Sequence, residues 1–172
     1  LLDIAPKELN AAEQAKGLSL EHPSVKNRIV NTAFQQTIQA KPASLYSSGF
    51  AKNIQLGNFD DNLSEIAQAD WIMEVVVENL AIKKSLYDRV EQFRKPGTLI
   101  TSNTSGIPIH LMAEGRSEDF QKHFCGTHFF NPPRYLRLLE IIPTAKTDPK
   151  IIEFLLQYGE TQLGKTTVLC KD

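Results

Sequence analysis

Asp70-Trp71-Ile72-Met73-Glu74-Val75-Val76-Val77 is a mostly apolar, β-branched run, which suits a central strand covered on both faces. It ends in the polar pair Glu78-Asn79, and the spacing predicts a helix from there to about Phe93, broken by Lys95-Pro96-Gly97. Thr98 to Thr101 reads as the next strand and opens into Ser102-Asn103-Thr104-Ser105-Gly106. Polar residues between a strand and a helix suit a turn or a ligand site, with helix capping by Ser105 as the plain structural alternative. A short helix over Pro108 to Ala113 follows, then strands over Phe124 to Phe130 and Leu136 to Ile142, with Asn131-Pro132-Pro133 as the turn between them. Asp148-Pro149 opens a helix that runs to Leu163 and stops at Gly164, and Thr166 to Cys170 is a last strand.

Upstream of the central run, Leu1-Leu2-Asp3-Ile4 looks like the tail of a strand. Pro6 and Gly17 bracket a helix from about Lys7 to Lys16. A second helix begins near Pro23 and Ser24, with Val25, Ile29, Ala33, Phe34 and Ile38 on one stripe until Lys41-Pro42 stops it. The two form a helical hairpin, residues 7–42, whose Lys16, Lys26, Arg28 and Lys41 read as a solvated polar face. A short strand near Ile54 to Leu56 then leads through Gly57-Asn58 into a helix over Asp61 to Gln68.

Strands alternating with helices predict an α/β fold, a largely parallel sheet with helices on both faces and a single domain over residues 1–172. Such folds bind ligands outside the carboxyl ends of their strands, where Asp3, Glu78, Ser102 to Ser105, His128 and Asn131 all fall. The balance of 19 Lys and Arg against 20 Asp and Glu gives a net charge of −1, so no basic field favours nucleic acid or an anionic membrane. No apolar run is long enough to span a bilayer and no signal peptide is visible. The two cysteines, Cys125 and Cys170, have no metal-ligand spacing and suit a reducing cytoplasm. Cys125 stands three residues before His128, so within one strand the two point to opposite faces and share no site.

His128 falls near the carboxyl end of its strand and Glu140 within the neighbouring one. A carboxylate flanked by Leu138-Leu139 and Ile141-Ile142 is costly to bury unless something donates to it. An imidazole is the nearest donor, and a carboxylate on one ring nitrogen fixes the tautomer and raises the basicity of the other. That is the arrangement of a general base, set against the plain alternative that both residues are structural.

Together, Val75-Val76-Val77-Glu78-Asn79-Leu80 with Lys83, Ser102-Asn103-Thr104-Ser105, and His128-Phe129-Phe130-Asn131-Pro132 with Glu140 resemble the NAD-binding domain of the 3-hydroxyacyl-CoA dehydrogenases. The match is ordered and spans essentially the whole chain. It implies a Rossmann-like fold and NAD-dependent oxidation of 3-hydroxyacyl-CoA to 3-oxoacyl-CoA in fatty-acid β-oxidation. By this resemblance His128 is the base that takes the 3-hydroxyl proton and Glu140 the carboxylate that orients it. Ser105 and Asn131 contact the substrate oxygen or the nicotinamide ribose, Asp3 holds the adenosine ribose, and Glu78, Lys83 and Asn103 line the cofactor and CoA sites. The hairpin is similar to the arm such enzymes lay across CoA, and a homo-oligomer is implied for the full-length parent. No metal is implied.

Two departures stand out. The family's G-x-G-x-x-G loop, which precedes the strand ending in Asp3, is not in this sequence, nor is the helical domain that follows. The chain is therefore expected to be an internal piece of a longer dehydrogenase, inactive by itself. In the usual strand order the first strand lies between that of Asp3 and that of Val75, so something is expected to fill its place: an upstream segment, a shifted strand or a partner chain. A related β-hydroxyacid dehydrogenase and a non-catalytic α/β assembly module are the competing readings.

Overall fold

The structure, a computed structural model, describes residues 1–172. It divides into two compact units, Leu1–Ser64 and Glu65–Asp172, each described by itself.

In the first unit, β1 (Leu2–Asp3) pairs in parallel with β2 (Gly57–Asn58). The expected strand at Ile54 to Leu56 is displaced onto β2 because a polar residue, not an apolar one, anchors it. The Asn58 side chain is fully buried, donates to Asn27 and Asp61, and accepts from the backbone N–H groups of Asp60 and Asp61. The helical region is α1 (Ala11–Ala15), α2 (Pro23–Lys26) and α3 (Arg28–Gln39). The first helix starts later than Pro6 suggests, since Asn10 and Glu13 form a reciprocal capping box that fixes its beginning. Arg28 and Lys26 are not simply solvated: Arg28 bonds Glu13 at 2.9 Å and Lys26 pairs with Asp61. Lys16 and Lys41 are exposed as expected. Val25 and Val30 are the buried positions, while the stripe fails at Ile38, which is exposed.

The second unit holds β3 (Trp71–Glu74), α4 (Leu80–Phe93), β4 (Leu99–Ser102), α5 (Ile109–Ala113), α6 (Glu118–Lys122), β5 (Phe124–Phe129), β6 (Leu138–Pro143), α7 (Pro149–Thr161) and β7 (Thr166–Leu169). The five strands form one sheet in the order β3-β4-β5-β6-β7, parallel throughout except for the antiparallel β5-β6 pair. Helix α6, unseen in the sequence, is started by Ser117, whose Oγ accepts from the N–H of Phe120.

Period-two alternation sorts the sheet's side chains. Ile100 and Phe124 face Tyr87 and Val90 of α4, Ile109 and Met112 of α5 and Phe120 of α6. Leu99, Cys125, Leu139 and Ile141 face Leu155 of α7. Both faces of the sheet are thus covered, as the alternating sequence predicts. Gly126 permits the close approach of α5, since a Cβ there would lie 2.7 Å from Cδ1 of Ile109. Cys125 lies on the α7 face, and burial pushes its thiol up to about 12.

The run from Asp70 to Val77 forms a shorter and more peripheral strand than its composition suggests. Strand β3 stops at Glu74 and forms an edge of the sheet; Val75 and Val77 are 65% and 63% exposed. The ladder ends there because β4 ends opposite, Glu74 against Ser102, and the Glu74 carboxylate draws the N–H of Val76 to itself at 2.6 Å. The pair β1-β2 and the strands β3 to β7 form separate sheets, and β4 is the one strand paired with β3.

Candidate active site

The same alternation that builds the α4 to α6 face also delivers polar groups to its edge. Continuing from Ile72, Ile100 and Phe124, the last residues on that face are Glu74 of β3, Ser102 of β4 and His128 of β5. Beyond the carboxyl ends of β3 and β4 the chain leaves the sheet and carries Glu78 and Ser105.

His128 and Glu140 are direct partners across the antiparallel pair, which turns a twelve-residue separation into adjacent side chains. Nδ1 of His128 lies 2.7 Å from Oε2 of Glu140, and Nε2 lies 3.0 Å from Oγ of Ser105. A carboxylate only accepts, so Nδ1–H donates to Glu140 and the Nε2 lone pair accepts from the serine hydroxyl. The result is a continuous chain, Ser105 to His128 to Glu140, with the basic nitrogen aimed at the serine. Ser105 caps no helix; its hydroxyl serves the histidine instead.

Glu78 fixes the loop that carries Ser105. Its Oε1 accepts from the Ser105 N–H at 3.0 Å, the Gly106 N–H at 2.9 Å and the Thr104 hydroxyl. Partial burial by itself would raise this carboxyl, but the Thr104 hydroxyl, the two backbone donors and the Lys83 charge outweigh it and hold it at about 2, below its ordinary 4.5. A carboxyl lowered on folding holds its partners above the ordinary range and keeps them as pH falls, releasing them only through the folded-state value. In an amide NMR titration the Ser105 and Gly106 resonances are therefore expected to stay in place until about pH 2. A midpoint near 4.5 would contradict the arrangement.

Asn103 closes the gap between β4 and β5, its Oδ1 accepting from the Phe129 N–H at 2.9 Å. Asn131 is exposed in the turn after β5. Lys83 sits beneath the site and not on its surface, which corrects its expected place lining a ligand. Its ammonium is enclosed, 2.8 and 3.0 Å from the two oxygens of Glu74 and 3.6 Å from Glu78. Asp3 belongs to the first unit, where Oδ1 accepts from the Ile4 N–H at 2.7 Å.

Glu74 is the residue that the sequence reading passed over. A carboxylate inside Trp71-Ile72-Met73-Glu74-Val75 raises the same question as Glu140, namely what donates to it, and Lys83 answers it. Thr104, which joins Glu78, was hidden within a polar run.

The sequence matches the family described as 3-hydroxyacyl-CoA dehydrogenase, NAD binding domain, over residues 2–172. A probable 3-hydroxyacyl-CoA dehydrogenase of Bacillus subtilis is 49% identical over 172 residues, covering 100% of this chain and 22% of that protein. One of Deinococcus radiodurans is 44% identical over 147 residues, covering 86% of this chain and 42% of that protein. The chain thus spans less than half the length of these relatives. Among solved structures, M. tuberculosis FadB2 is 25% identical with a TM-score of 0.69, over 87% of this chain and 52% of that one. The sheet order, the histidine and glutamate paired across β5-β6 and the match along nearly the full length agree: this chain belongs to the NAD-binding domain family of the 3-hydroxyacyl-CoA dehydrogenases.

Proposed function

We propose that the chain is the dinucleotide-binding part of an enzyme that oxidises the 3-hydroxyl of 3-hydroxyacyl-CoA to the 3-oxo product with NAD, a step of fatty-acid β-oxidation. The observation that carries this reading is the Ser105-His128-Glu140 chain at the carboxyl edge of the sheet. Nε2 of His128 takes the hydroxyl proton, and the charge that forms on the ring is stabilised by Glu140 at Nδ1. Ser105 donates to the substrate oxygen and holds it against Nε2, and Asn131 assists from the turn. Asp3 fits a ribose: one carboxylate oxygen is engaged by the Ile4 N–H and the other accepts no hydrogen bond. Glu78 and Asn103 line the nicotinamide side, and Lys83 supports Glu78 from below. The bound NAD supplies the hydride acceptor.

A serine, histidine and carboxylate in series also describe a hydrolase, so the choice between the two chemistries needs a reason. An acyl-transfer site requires free donors for the oxyanion beside the nucleophile. Here the N–H groups of Ser105 and Gly106 are both engaged by Glu78, whose negative charge would also oppose an oxyanion. Alcohol oxidation needs neither donor, only the base.

Residues 1–172 act as one dinucleotide-binding domain, with residues 7–42 as an arm across CoA, in a full-length enzyme that is a homo-oligomer. No helix is long and apolar enough to cross a membrane. Both cysteines are free thiols, which suits the cytoplasmic location that belongs to this reading. The test is to give the full-length protein NAD and 3-hydroxybutyryl-CoA while following NADH and free CoA thiol together. NADH without thiol is expected; thiol without NADH would replace this reading with the hydrolytic one.

A further inference from the structure

Glu74 is 4% exposed, yet it accepts five hydrogen bonds from four residues in three different parts of the second unit. Lys83 of α4 gives two, at 2.8 and 3.0 Å, and Tyr87 of the same helix one at 2.9 Å. The Val76 N–H gives one at 2.6 Å and the Ser102 hydroxyl one at 2.5 Å. The Glu74 backbone adds a sixth tie, its carbonyl accepting from the Asn103 N–H at 2.9 Å. Five bonds exceed what is needed to satisfy one buried lysine, and their distribution is informative. Val76 begins the segment that carries Glu78, and Ser102 and Asn103 begin the segment that carries Ser105. Lys83 reaches from Glu74 toward Glu78 at 3.6 Å, and Glu78 in turn holds the Ser105 and Gly106 N–H groups.

We infer that Glu74 is a positioning residue for the proposed oxidation: it fixes the departure of the chain from both β3 and β4 and so sets Ser105 against Nε2 of His128. This inference rests on the dehydrogenase reading above. The contact it governs is the 3.0 Å approach of Ser105 Oγ to Nε2, which is where the substrate hydroxyl must be held. Displacement of a positioning group by about 1 Å costs on the order of a hundredfold in rate. The loss belongs in kcat, because the groups that contact the rest of the substrate are untouched.

The experiment uses the full-length protein, with Glu74→Gln and Ser102→Ala assayed for NADH formation well below their melting temperatures. Glu74→Gln keeps the shape and one acceptor but loses the charge that gathers the donors. It is expected to lower kcat between about tenfold and a hundredfold, with KM for the acyl substrate within about twofold. Ser102→Ala removes the hydroxyl's bond to Glu74 and leaves the Asn103 N–H on the Glu74 carbonyl, folds irrespective of the lysine's charge, and is expected to lower kcat by about threefold to tenfold. Adding Lys83→Met to Glu74→Gln removes both charges and returns stability toward that of the parent. If kcat returns with stability, or if folded Ser102→Ala has the parent kcat, Glu74 is only the lysine's counter-ion and the inference falls. A parent protein that forms no NADH overturns the dehydrogenase reading instead, so the two failures are distinct.

Discussion

Replacing His128 with Gln in the full-length protein is expected to lower kcat for NAD-dependent oxidation about a thousandfold, within the range that a positioned general base contributes. Gln is the stringent choice because its amide can still donate to Glu140 and fill the space of the ring, while it cannot accept a proton at the position of Nε2. KM for the acyl substrate is expected to change by less than about threefold, since the interaction lost is made only as the proton moves. The Nδ1 contact of 2.7 Å and the Nε2 contact of 3.0 Å leave the imidazole one orientation, with its lone pair on the substrate side. Steady-state assays of the purified variant, with circular dichroism to verify folding, provide the check. A fall in kcat of less than about tenfold would mean that a different group takes the proton.

Lys83→Met is expected to produce the largest loss of stability of any single change near the site. The ammonium is fully enclosed and is the charge partner of a carboxylate only 4% exposed. Breaking a buried pair by removing one member costs about 3–5 kcal/mol, because the charge that stays behind is stranded in a poorly solvating interior. For a chain of this size that corresponds to a fall in melting temperature of about 10 °C. Met preserves much of the side-chain volume, so the loss reports charge and not a cavity. Tyr87 records the same environment, its hydroxyl pushed well above its ordinary value by burial and then by the Glu74 charge. Thermal unfolding followed by circular dichroism decides the matter, and an unchanged midpoint would show that Glu74 is adequately served by its neutral donors.

What was legible in the sequence, and what was not, follows from the range over which each signal acts. Alternation of apolar runs with helical periodicity is local, and it located α4, α7 and the strands of the second unit to within a few residues. The pairing of His128 with Glu140 was legible because it needs only two neighbouring strands and a turn. Val75 to Val77 misled because β-branched composition reports a preference for extended chain, whereas the length of a strand is set by its partner, here ending at Ser102. Lys83 was assigned to a ligand surface by the family resemblance, but one helical turn of α4 points its side chain inward to Glu74. Asn58 was passed over in favour of Ile54 to Leu56 because its anchoring partner Asn27 is distant in sequence. In each case the missing information was a non-local polar partner, which hydrophobic pattern does not encode.

The most direct test of the central claim is a single turnover of the full-length protein with NAD and 3-hydroxybutyryl-CoA carrying deuterium at C3, with mass analysis of the nucleotide product. The account predicts reduced nucleotide carrying the deuterium, formed quickly by the parent protein and about a thousandfold more slowly by His128→Gln. Reduced nucleotide without the label, or equal rates in the two proteins, would contradict it.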